Sequence, residues 1–322
     1  MTAPSTSEGV ASGMYSDAHG EVVVVGSLSL EVVVPVPQLP LPGQAVLGGL
    51  QTRRNGGRGA NQAVAVARLG RSVAMVGRVG SDESGPMLID ALAAEGVDAA
   101  HVSETSGVPT GRSLIAVDPE ARSTVIISPG ANALLGSGDC EAAKDVLDAA
   151  RVTVLQQEVS HEANEAAARL AGGLVLLKPA PPRIGEDILP GGVDILVPSR
   201  SELAALTGRA SQELTSTDDI VRAVHDLRVV GAVVVLLGAR GALLCEGAVS
   251  TVIPPFPVTP VDPTAADDCF CGALACALAE GEPLEKAAIF AAAAAALSTT
   301  RAGSQSSMPT RDEVDRLVAA AG

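Results

Sequence analysis

Aromatic residues are nearly absent from this chain of 322 residues, which has no tryptophan, one tyrosine and three phenylalanines. Its interior must therefore be filled mainly by Ala, Val and Leu. With 47% apolar residues, the chain is long enough for one large domain, or for a core domain with a small appendage.

Basic residues are also scarce, since 22 Lys and Arg stand against 37 Asp and Glu and leave a net charge of −15. Nucleic acids and anionic membranes are bound by basic surfaces, so neither is an expected partner. Backbone N–H groups and one or two cations can still bind an anion locally.

Long apolar runs and paired cysteines are missing as well. The longest apolar run, residues 287–297, has about half the length that a membrane-spanning helix needs. Residues 1–20 are too polar for a secretory signal, and we expect them to form a disordered tail. The five cysteines form no C-x-x-C pair and the four histidines are scattered, which favours reduced core thiols in the cytoplasm over a zinc site.

Short apolar runs alternate with segments of helical spacing along most of the chain. The predicted strands are residues 21–27, 73–79, 152–156, 174–177, 194–197 and 233–237. The predicted helices are residues 61–69, 86–95, 163–170, 201–206 and 218–229. Such alternation is typical of a mostly parallel sheet with helices on both faces.

Two stretches, residues 31–54 and 110–128, have strand-like patterns with no helix between the strands. We expect them to form a small antiparallel sheet beside the core, as a lid. From residue 259 onward the chain changes to a loop, a helix of small residues and an Ala-rich helix. The sequence thus predicts one α/β domain over residues 21–322 with two lid segments.

The first loop with chemical potential is NGGRGANQ, residues 55–62, just before a predicted helix. Its glycines allow the backbone to approach a ligand, and the helix start presents N–H groups. The amide of Asn61 can donate and accept hydrogen bonds, which suits a polyol. A simple tight turn into a helix is the alternative.

The second loop is DPTAADDCFCGAL, residues 262–274, where small residues precede an Asp pair at a helix start. The first N–H groups of that helix can hold a phosphate, with an Asp beside them as a base. The alternative is that Asp267 and Asp268 only cap the helix.

Together the two loops resemble the signatures of the ribokinase family of carbohydrate kinases, which has a GGKGANQ loop early and a D-T-x-(G/A)-A-G-D-(T/S)-F loop late. The resemblance runs from about residue 21 to residue 317 and includes connecting segments. These segments are GRVGSD (77–82), TG (110–111), GAN (130–132), LQQE (155–158), PAP (179–181), LTG (206–208), LGARG (237–241) and GSQSSMP (303–309). It implies a doubly wound α/β fold and an ATP-dependent sugar kinase.

The resemblance also implies a role for individual residues. Asp268 falls on the catalytic base, and the backbone of Ala265, Ala266 and Asp267 falls on the anion hole for the transferred phosphoryl group. Glu202 falls on the carboxylate that organises Mg²⁺ and phosphate. The residues on the sugar side are Ser29, Glu31, Gly57, Arg58, Gly59, Asn61 and Glu158. The residues along the nucleotide are Ser199, Gly238, Arg240, Gly241 and Ala292. The residues of the monovalent-cation (K⁺) loop are Asp262, Thr264, Arg301, Gly303 and Ser307.

Several positions depart from the family pattern. The changes are Ser29 for Asn, Glu31 for Asp, Arg58 for Lys, Lys178 for Asn, Leu236 for Thr, Ser199 for Asn, Ala292 for a frequent Asn, and Asp267 for Gly. The last places a carboxylate beside the phosphate that the anion hole should attract. Like charges about 5 Å apart repel by roughly 3 kcal/mol at an effective dielectric near 20, or about a hundredfold in rate. A cation could offset this. Otherwise Asp267 should act as a brake that Gly or Asn would relieve.

The sequence therefore predicts transfer of phosphate from ATP to a primary hydroxyl of a pentose, with ribose as the first candidate. One alternative is an impaired homologue that binds sugar or nucleotide without efficient turnover. Another is a kinase for a nucleoside or another sugar. The resemblance further implies Mg²⁺ with ATP, K⁺ as a candidate activator, and a homodimer formed through the lid sheet.

Overall fold

The computed structural model describes residues 21–120, 122–183, 189–227 and 231–321, so the expected tail over residues 1–20 lies outside the described residues. The strands are, in chain order, β1 Val22–Val25, β2 Ser29–Pro35, β3 Thr52–Gly56, β4 Val73–Gly80, β5 Asp98–Thr105, β6 Gly111–Val117, β7 Ser123–Ser128, β8 Val152–Gln156, β9 Leu174–Lys178, β10 Ile195–Leu196, β11 Ala232–Leu236, β12 Ala242–Glu246 and β13 Val249–Ile253. The helices are α1 Arg58–Arg68, α2 Ser84–Ala94, α3 Ser137–Ala142, α4 Lys144–Ala149, α5 His161–Leu170, α6 Arg200–Leu206, α7 Thr217–Asp226, α8 Ala266–Ala279, α9 Leu284–Ser298 and α10 Arg311–Ala321.

The central sheet has the strand order β13-β12-β11-β10-β9-β8-β1-β4-β5. Its neighbouring strands are parallel except at β11 with β12 and β12 with β13. Strand β1 lies between β4 and β8, so the chain winds away from it in both directions. This confirms the predicted doubly wound, mostly parallel sheet, and it opens a crevice at the carboxyl end of β1, where such sheets bind ligands.

Alternation along β1 divides the core into two halves. Val22 and Val24 face one cluster, built with α1, α2, α8, α9 and α10. Val23 and Val25 face the other, built with α3 to α7. Because successive side chains of a strand point to opposite faces, one run of four valines fills both halves.

Small residues bring α8 and α1 into close contact. A Cβ atom on Gly272 would lie 2.7 Å from the backbone oxygen of Gln62, so no larger residue fits there without movement. This contact fixes the start of α8 beside the start of α1, and those two helix starts carry both of the loops singled out in the sequence.

The lid is a second sheet of order β3-β2-β6-β7, formed by the two segments predicted for it. The expectation of an antiparallel sheet is wrong in one respect, because β2 and β6 pair in parallel, while β2 with β3 and β6 with β7 are antiparallel. The chain leaves the lid after β3 and returns as β6 only after α1, β4, α2 and β5. Such a long crossover allows parallel pairing, which a tight hairpin cannot give.

The lid strands also extend beyond the predicted bounds. Strand β2 begins at Ser29 and β3 ends at Gly56, and residues 36–51 between them carry no helix or strand. No helix among the described residues is long and apolar enough to cross a membrane.

Candidate active site

A cavity of about 370 Å³ lies between the lid and the carboxyl end of the central sheet. Its lining residues are Glu31, Gly57, Arg58, Asn61, Ser113, Ile115, Val125, Ile127, Glu158, Pro263, Thr264, Ala265, Ala266, Asp267 and Asp268. The two chemically suggestive loops, which are about 200 residues apart, therefore meet in one cavity, together with the lid.

The glycine loop enters α1 through Gly57, whose φ angle is 94°. This left-handed backbone favours glycine. In addition, a Cβ atom there would lie 2.7 Å from the backbone oxygen of Ser27. The chain is thus held against the residues that follow β1, and the first turn of α1 presents Arg58 and Asn61 to the cavity.

Asp268 lies in the first turn of α8 and is buried. Asn61 Nδ2 donates a hydrogen bond of 3.0 Å to its Oδ2, and Gln62 Nε2 donates one of 3.4 Å to its Oδ1. The residue before the helix, Ala265, has a φ angle of 59°, the one positive φ outside glycine among the described residues. Backbone strain of this kind concentrates at functional sites.

The pKa of Asp268 is raised to about 6. Burial is the main cause, and the neighbouring guanidinium of Arg58 and the amide of Asn61 limit the rise. An acid of this pKa is ionised at neutral pH and still basic enough to accept a proton from a hydroxyl group. The side chain thus combines access to the cavity with the properties of a general base.

Arg58 links two carboxylates of the cavity. Its Nε lies 3.3 Å from Oε1 of Glu158, and its Nη1 lies 3.5 Å from Oδ1 of Asp268. Glu158 also accepts a hydrogen bond from the hydroxyl of Ser27, which follows β1. One guanidinium is therefore shared by two carboxylates of the cavity.

Asn61 carries an unused acceptor. Its Oδ1 is buried and has no hydrogen-bond partner among the described residues. A buried acceptor without a partner is costly. It fits a ligand hydroxyl that donates to Oδ1 from a position beside Asp268.

Glu31 closes the cavity from the lid side. Its Oε2 accepts a hydrogen bond of 2.6 Å from the hydroxyl of Ser304, and its side chain occupies the space where Gly56 lacks a Cβ. Burial raises the pKa of Glu31 to about 7, in spite of the bond from Ser304. The longer Glu at this position is thus accommodated by Gly56 and Ser304.

Two residues expected on the sugar side are buried behind the cavity wall. Ser29 lies against Asn132, whose Nδ2 is 3.4 Å from the Ser29 hydroxyl. Gly59 lies against the residues that follow β1, and its N–H donates a bond of 3.4 Å to the hydroxyl of Ser27. These positions shape the wall, while Gly57, Arg58, Asn61, Glu31 and Glu158 face the cavity.

At the start of α8, one backbone N–H group already donates a hydrogen bond, and the next residue has an acidic side chain. The N–H of Ala266 donates to the carbonyl of Pro263 at 3.2 Å, so this expected anion-hole donor already has a partner. The carboxylate of Asp267 is 40% exposed, and its Oδ2 lies 2.8 Å from Nζ of Lys178. The charge that distinguishes this expected anion hole is therefore paired.

The fully buried ammonium of Lys178 has a second partner, since its Nζ lies 2.7 Å from Oε2 of Glu202. The same oxygen accepts the N–H of Ser199 at 2.7 Å, and the Ser199 hydroxyl accepts the N–H of Glu202 in return. This capping box fixes the start of α6. A carboxylate such as that of Glu202 suits Mg²⁺ held through water.

The residues expected along the nucleotide lie further along the carboxyl edge. Ser199 forms a bridge to Leu236, Gly238 to Gly241 follow β11, and Ala292 is buried in α9. Arg240 is exposed, and its Nη1 donates to the carbonyl of Thr215 at 3.4 Å. The structure places these residues outside the cavity wall that carries Asp268.

The loop expected to bind a monovalent cation already contains a positive charge from the chain itself. The Asp262 carboxylate accepts the N–H groups of Thr264 at 3.0 Å and Gly303 at 2.9 Å, and Nη1 of Arg54 lies 3.6 Å from its Oδ2. The Ser307 hydroxyl donates to the carbonyl of Ser304 at 2.8 Å, and Arg301 pairs with Glu313. With a guanidinium on its carboxylate, this loop suits K⁺ poorly.

Comparison with known proteins agrees with this geometry. The profile of the pfkB family carbohydrate kinases matches residues 19–311. The chain belongs to the pfkB family of carbohydrate kinases.

One ribokinase sequence and two ribokinase structures match this pfkB-family kinase over nearly their whole length. The ribokinase of Haemophilus influenzae is 35% identical over 295 residues, which cover 91% of this chain and 96% of the relative. The structure of a ribokinase from Thermotoga maritima has a TM-score of 0.82 and 34% identity, with 92% and 99% coverage. The structure of Arabidopsis thaliana ribokinase complexed with ribose and ATP has a TM-score of 0.84 and 30% identity, with 93% and 99% coverage.

Some residues of the site escaped the sequence analysis of this pfkB-family kinase. The lid contributes Ser113, Ile115, Val125 and Ile127 to the cavity. They are alternate residues of β6 and β7, so the period of two would have identified the inward face once the lid was assumed. The pairing of Lys178 with Asp267 had only one signal, namely that two unusual charges of opposite sign appear in segments that both end at the site.

Proposed function

We propose that this kinase transfers the γ-phosphoryl group of ATP to a primary hydroxyl of a pentose, with ribose as the first substrate to test. The observation that carries the proposal is the arrangement of Asn61 beside Asp268, with a free amide oxygen next to a buried carboxylate. That pair can accept hydrogen bonds from two hydroxyl groups of one sugar and take the proton of one of them.

Asp268 acts as the general base in this proposal. The pentose hydroxyl donates to its carboxylate, and the proton passes to Asp268 as the hydroxyl oxygen attacks the γ-phosphorus. The bond between that phosphorus and the β,γ-bridging oxygen breaks, so ADP leaves and the sugar carries the phosphate. A neighbouring hydroxyl of the sugar donates to Oδ1 of Asn61, which orients the attacking oxygen.

The carboxylates of Glu31 and Glu158 accept further sugar hydroxyls, and Arg58 keeps Glu158 in place. The size of the cavity, about 370 Å³, suits one small sugar. The apolar side chains of Ile115, Val125 and Ile127 cover it from the lid side and limit access of water.

The start of α8 receives the charge that develops on the phosphoryl group, through its N–H groups and the positive end of the helix. Mg²⁺ bound with ATP would neutralise phosphate charge, and Glu202 is the residue that would hold its water shell. Gly238, Arg240, Gly241 and Ala292 would lie along the nucleotide.

The hypothesis of an impaired homologue that only binds its ligands has weaker support. Its main support was the unpaired charge expected at Asp267, and that carboxylate lies 2.8 Å from Lys178 Nζ. Ser199, a second argument for impairment, caps α6 and positions Glu202. The site therefore retains a base, a sugar pocket and a compensated anion hole.

The test is steady-state ADP release by purified protein with ATP, Mg²⁺ and K⁺ and a panel of ribose, deoxyribose, a hexose and a nucleoside. We expect the highest kcat/KM with a pentose, and phosphate on its primary hydroxyl by NMR. ATP binding without turnover of any sugar would support the impaired homologue instead. Faster turnover of a nucleoside or hexose would reassign the substrate.

We also propose a homodimer formed through the lid sheet, in the cytoplasm. The lid exposes Leu114 and Ile126 on the face away from the cavity, and exposed apolar side chains on a sheet favour association. The five buried, unpaired cysteines suit a reducing compartment. Light scattering after size exclusion tests the dimer, with Ile126→Lys expected to give monomers.

A further inference from the structure

Lys178 is a fully buried charge that the proposed reaction does not use. It is the last residue of β9 and has no exposed surface. Its Nζ lies 2.7 Å from Glu202 Oε2 at the start of α6 and 2.8 Å from Asp267 Oδ2 at the start of α8. A single ammonium thus connects the ends of three elements at the edge of the active site.

An ammonium buried to this extent persists only with anionic partners, because removal from water strongly disfavours its charge. Burial acts to lower the pKa of Lys178, but the carboxylates of Asp267 and Glu202 outweigh it, and the pKa is raised. Lys178 is therefore charged throughout the physiological range. Its charge is available to act on its neighbours.

Asp267 faces the cavity, whereas Lys178 lies behind it. The carboxylate is 40% exposed and lines the same wall as Asp268. The ammonium cancels one of the two carboxylate charges, so the trio of Lys178, Asp267 and Glu202 carries the same net charge as Glu202 alone. The pair of Lys178 and Asp267 therefore contributes no net charge, just as a site that lacked both residues would contribute none.

We propose that Lys178 is a positioning residue for phosphoryl transfer, which neutralises Asp267 and holds its carboxylate against β9, away from the incoming phosphate. The proposal rests on the kinase activity proposed above. The two residues form one functional unit, in which Asp267 is tolerated at the anion hole only because Lys178 is present.

A purely structural role makes a different prediction. If Lys178 only joined α6, α8 and β9, its loss would lower stability, and a second loss at Asp267 would not restore turnover. If Lys178 acts by cancelling charge, the second change removes the uncompensated carboxylate and turnover returns. A double-mutant cycle separates the two roles.

The cycle comprises the wild type, Lys178→Asn, Asp267→Gly and the double variant. We expect Lys178→Asn to lower kcat about a hundredfold and to weaken MgATP binding at least tenfold, because a bare carboxylate then faces the phosphate. The Kd for ribose should change by less than about threefold, since the sugar contacts are untouched. Asp267→Gly should be at or above the wild-type rate, and the double variant within about threefold of the wild type.

Lys144→Asn is the matched control, because it makes the same exchange at an exposed lysine and should leave all three quantities unchanged. Thermal unfolding of each variant shows whether rate follows stability. If Lys178→Asn does not fold, Lys178→Gln, which keeps a longer donor chain toward Glu202, takes its place in the cycle.

Two results would overturn the inference: a Lys178 variant with wild-type kcat and MgATP affinity, or a double variant as slow as Lys178→Asn. Calorimetric binding of MgATP keeps the test independent of turnover. If no variant phosphorylates any sugar, the proposed function fails, yet loss of MgATP binding in Lys178→Asn and its return in the double variant would still support the pairing.

Discussion

The hydroxyl of Ser304 donates a hydrogen bond of 2.6 Å to Oε2 of Glu31, across 273 residues of sequence. It joins the first lid strand to the loop before α10, directly above the cavity. Glu31 is buried there with a pKa raised to about 7, mainly by loss of solvent. A carboxyl group with so high a pKa makes both stability and catalysis depend on pH near neutrality.

The contribution of Glu31 to the free energy of unfolding should fall as pH rises from about 4.5 to 7. The folded state binds the Glu31 proton more tightly than the unfolded state does, so its advantage is complete below 4.5 and is lost as pH rises through about 7. The shift corresponds to roughly 3 kcal/mol. Glu31→Gln cannot ionise, so its melting temperature should match the wild type at about pH 4 and exceed it by several degrees at pH 8.

Glu246→Gln is the control for that experiment, because Glu246 is exposed at the end of β12. Its melting temperature should follow the wild-type curve at every pH. Parallel curves for Glu31→Gln and the wild type would show that Glu31 is ionised over the whole pH range. They would contradict the prediction that its buried carboxyl group is protonated.

The acid limb of kcat/KM should report Asp268. Burial raises its pKa to about 6, and the base must be ionised to accept the hydroxyl proton. We therefore expect the Asp268 ionisation by itself to lower kcat/KM about tenfold for each pH unit below 6. Glu31 adds a second ionisation near 7, so Glu31→Gln should leave a single limb near 6. A limb near 4 in that variant would contradict the assignment of a buried base.

Asp268→Asn should separate binding from catalysis. Loss of a general base costs about a hundredfold to ten-thousandfold, so kcat should fall by at least about a hundredfold. Asn keeps the shape and can still meet Asn61, so the Kd for ribose should stay within about threefold. Rapid-quench ADP formation and calorimetry measure the two quantities. Retained turnover would transfer the role of base to another carboxylate, with Glu158 as the first to examine.

Sequence analysis reached the architecture because the strands and helices have distinct periods. The strand over residues 152–156 was predicted with its observed bounds, and α1 begins only three residues before its prediction. Helix α7 was predicted to residue 229, but it ends at Asp226, and residues 228–229 lie outside the described residues. Strands β5, β12 and β13 and helices α3, α4 and α10 were not predicted. Half-exposed edge strands such as β13 and six-residue helices such as α3 carry weak hydrophobic patterns.

The site shows the same division. Its glycine and Asp loops could be found because local chemistry marks them, and the structure brings both to one cavity. Charge pairing could not be found in this way, because Lys178 and Asp267 are 89 residues apart and meet only through the fold. Lys178 and Asp267 each depart from the family pattern, and their opposite charges compensate each other in the folded structure. A charge change in a kinase loop therefore has to be judged with its partner.

The loop around Asp262 leads to the last prediction. Nη1 of Arg54 lies 3.6 Å from Oδ2 of Asp262, and the Arg54 side chain is 32% exposed. Its guanidinium supplies the positive charge that a monovalent cation would otherwise bring. We expect replacement of KCl by tetramethylammonium chloride to change the wild-type kcat by less than about threefold, because the charge is already present. Arg54→Ala should lose at least about tenfold in kcat without K⁺ and recover with it, at an apparent barrier change of about 1.4 kcal/mol. Its melting temperature should also rise with KCl, because a ligand of the folded state stabilises it.

Arg53→Ala, which changes the neighbouring exposed arginine of β3, should behave as the wild type in both measurements. Strong activation of the wild type by K⁺, equal to that of Arg54→Ala, would show that the loop binds the ion in spite of Arg54.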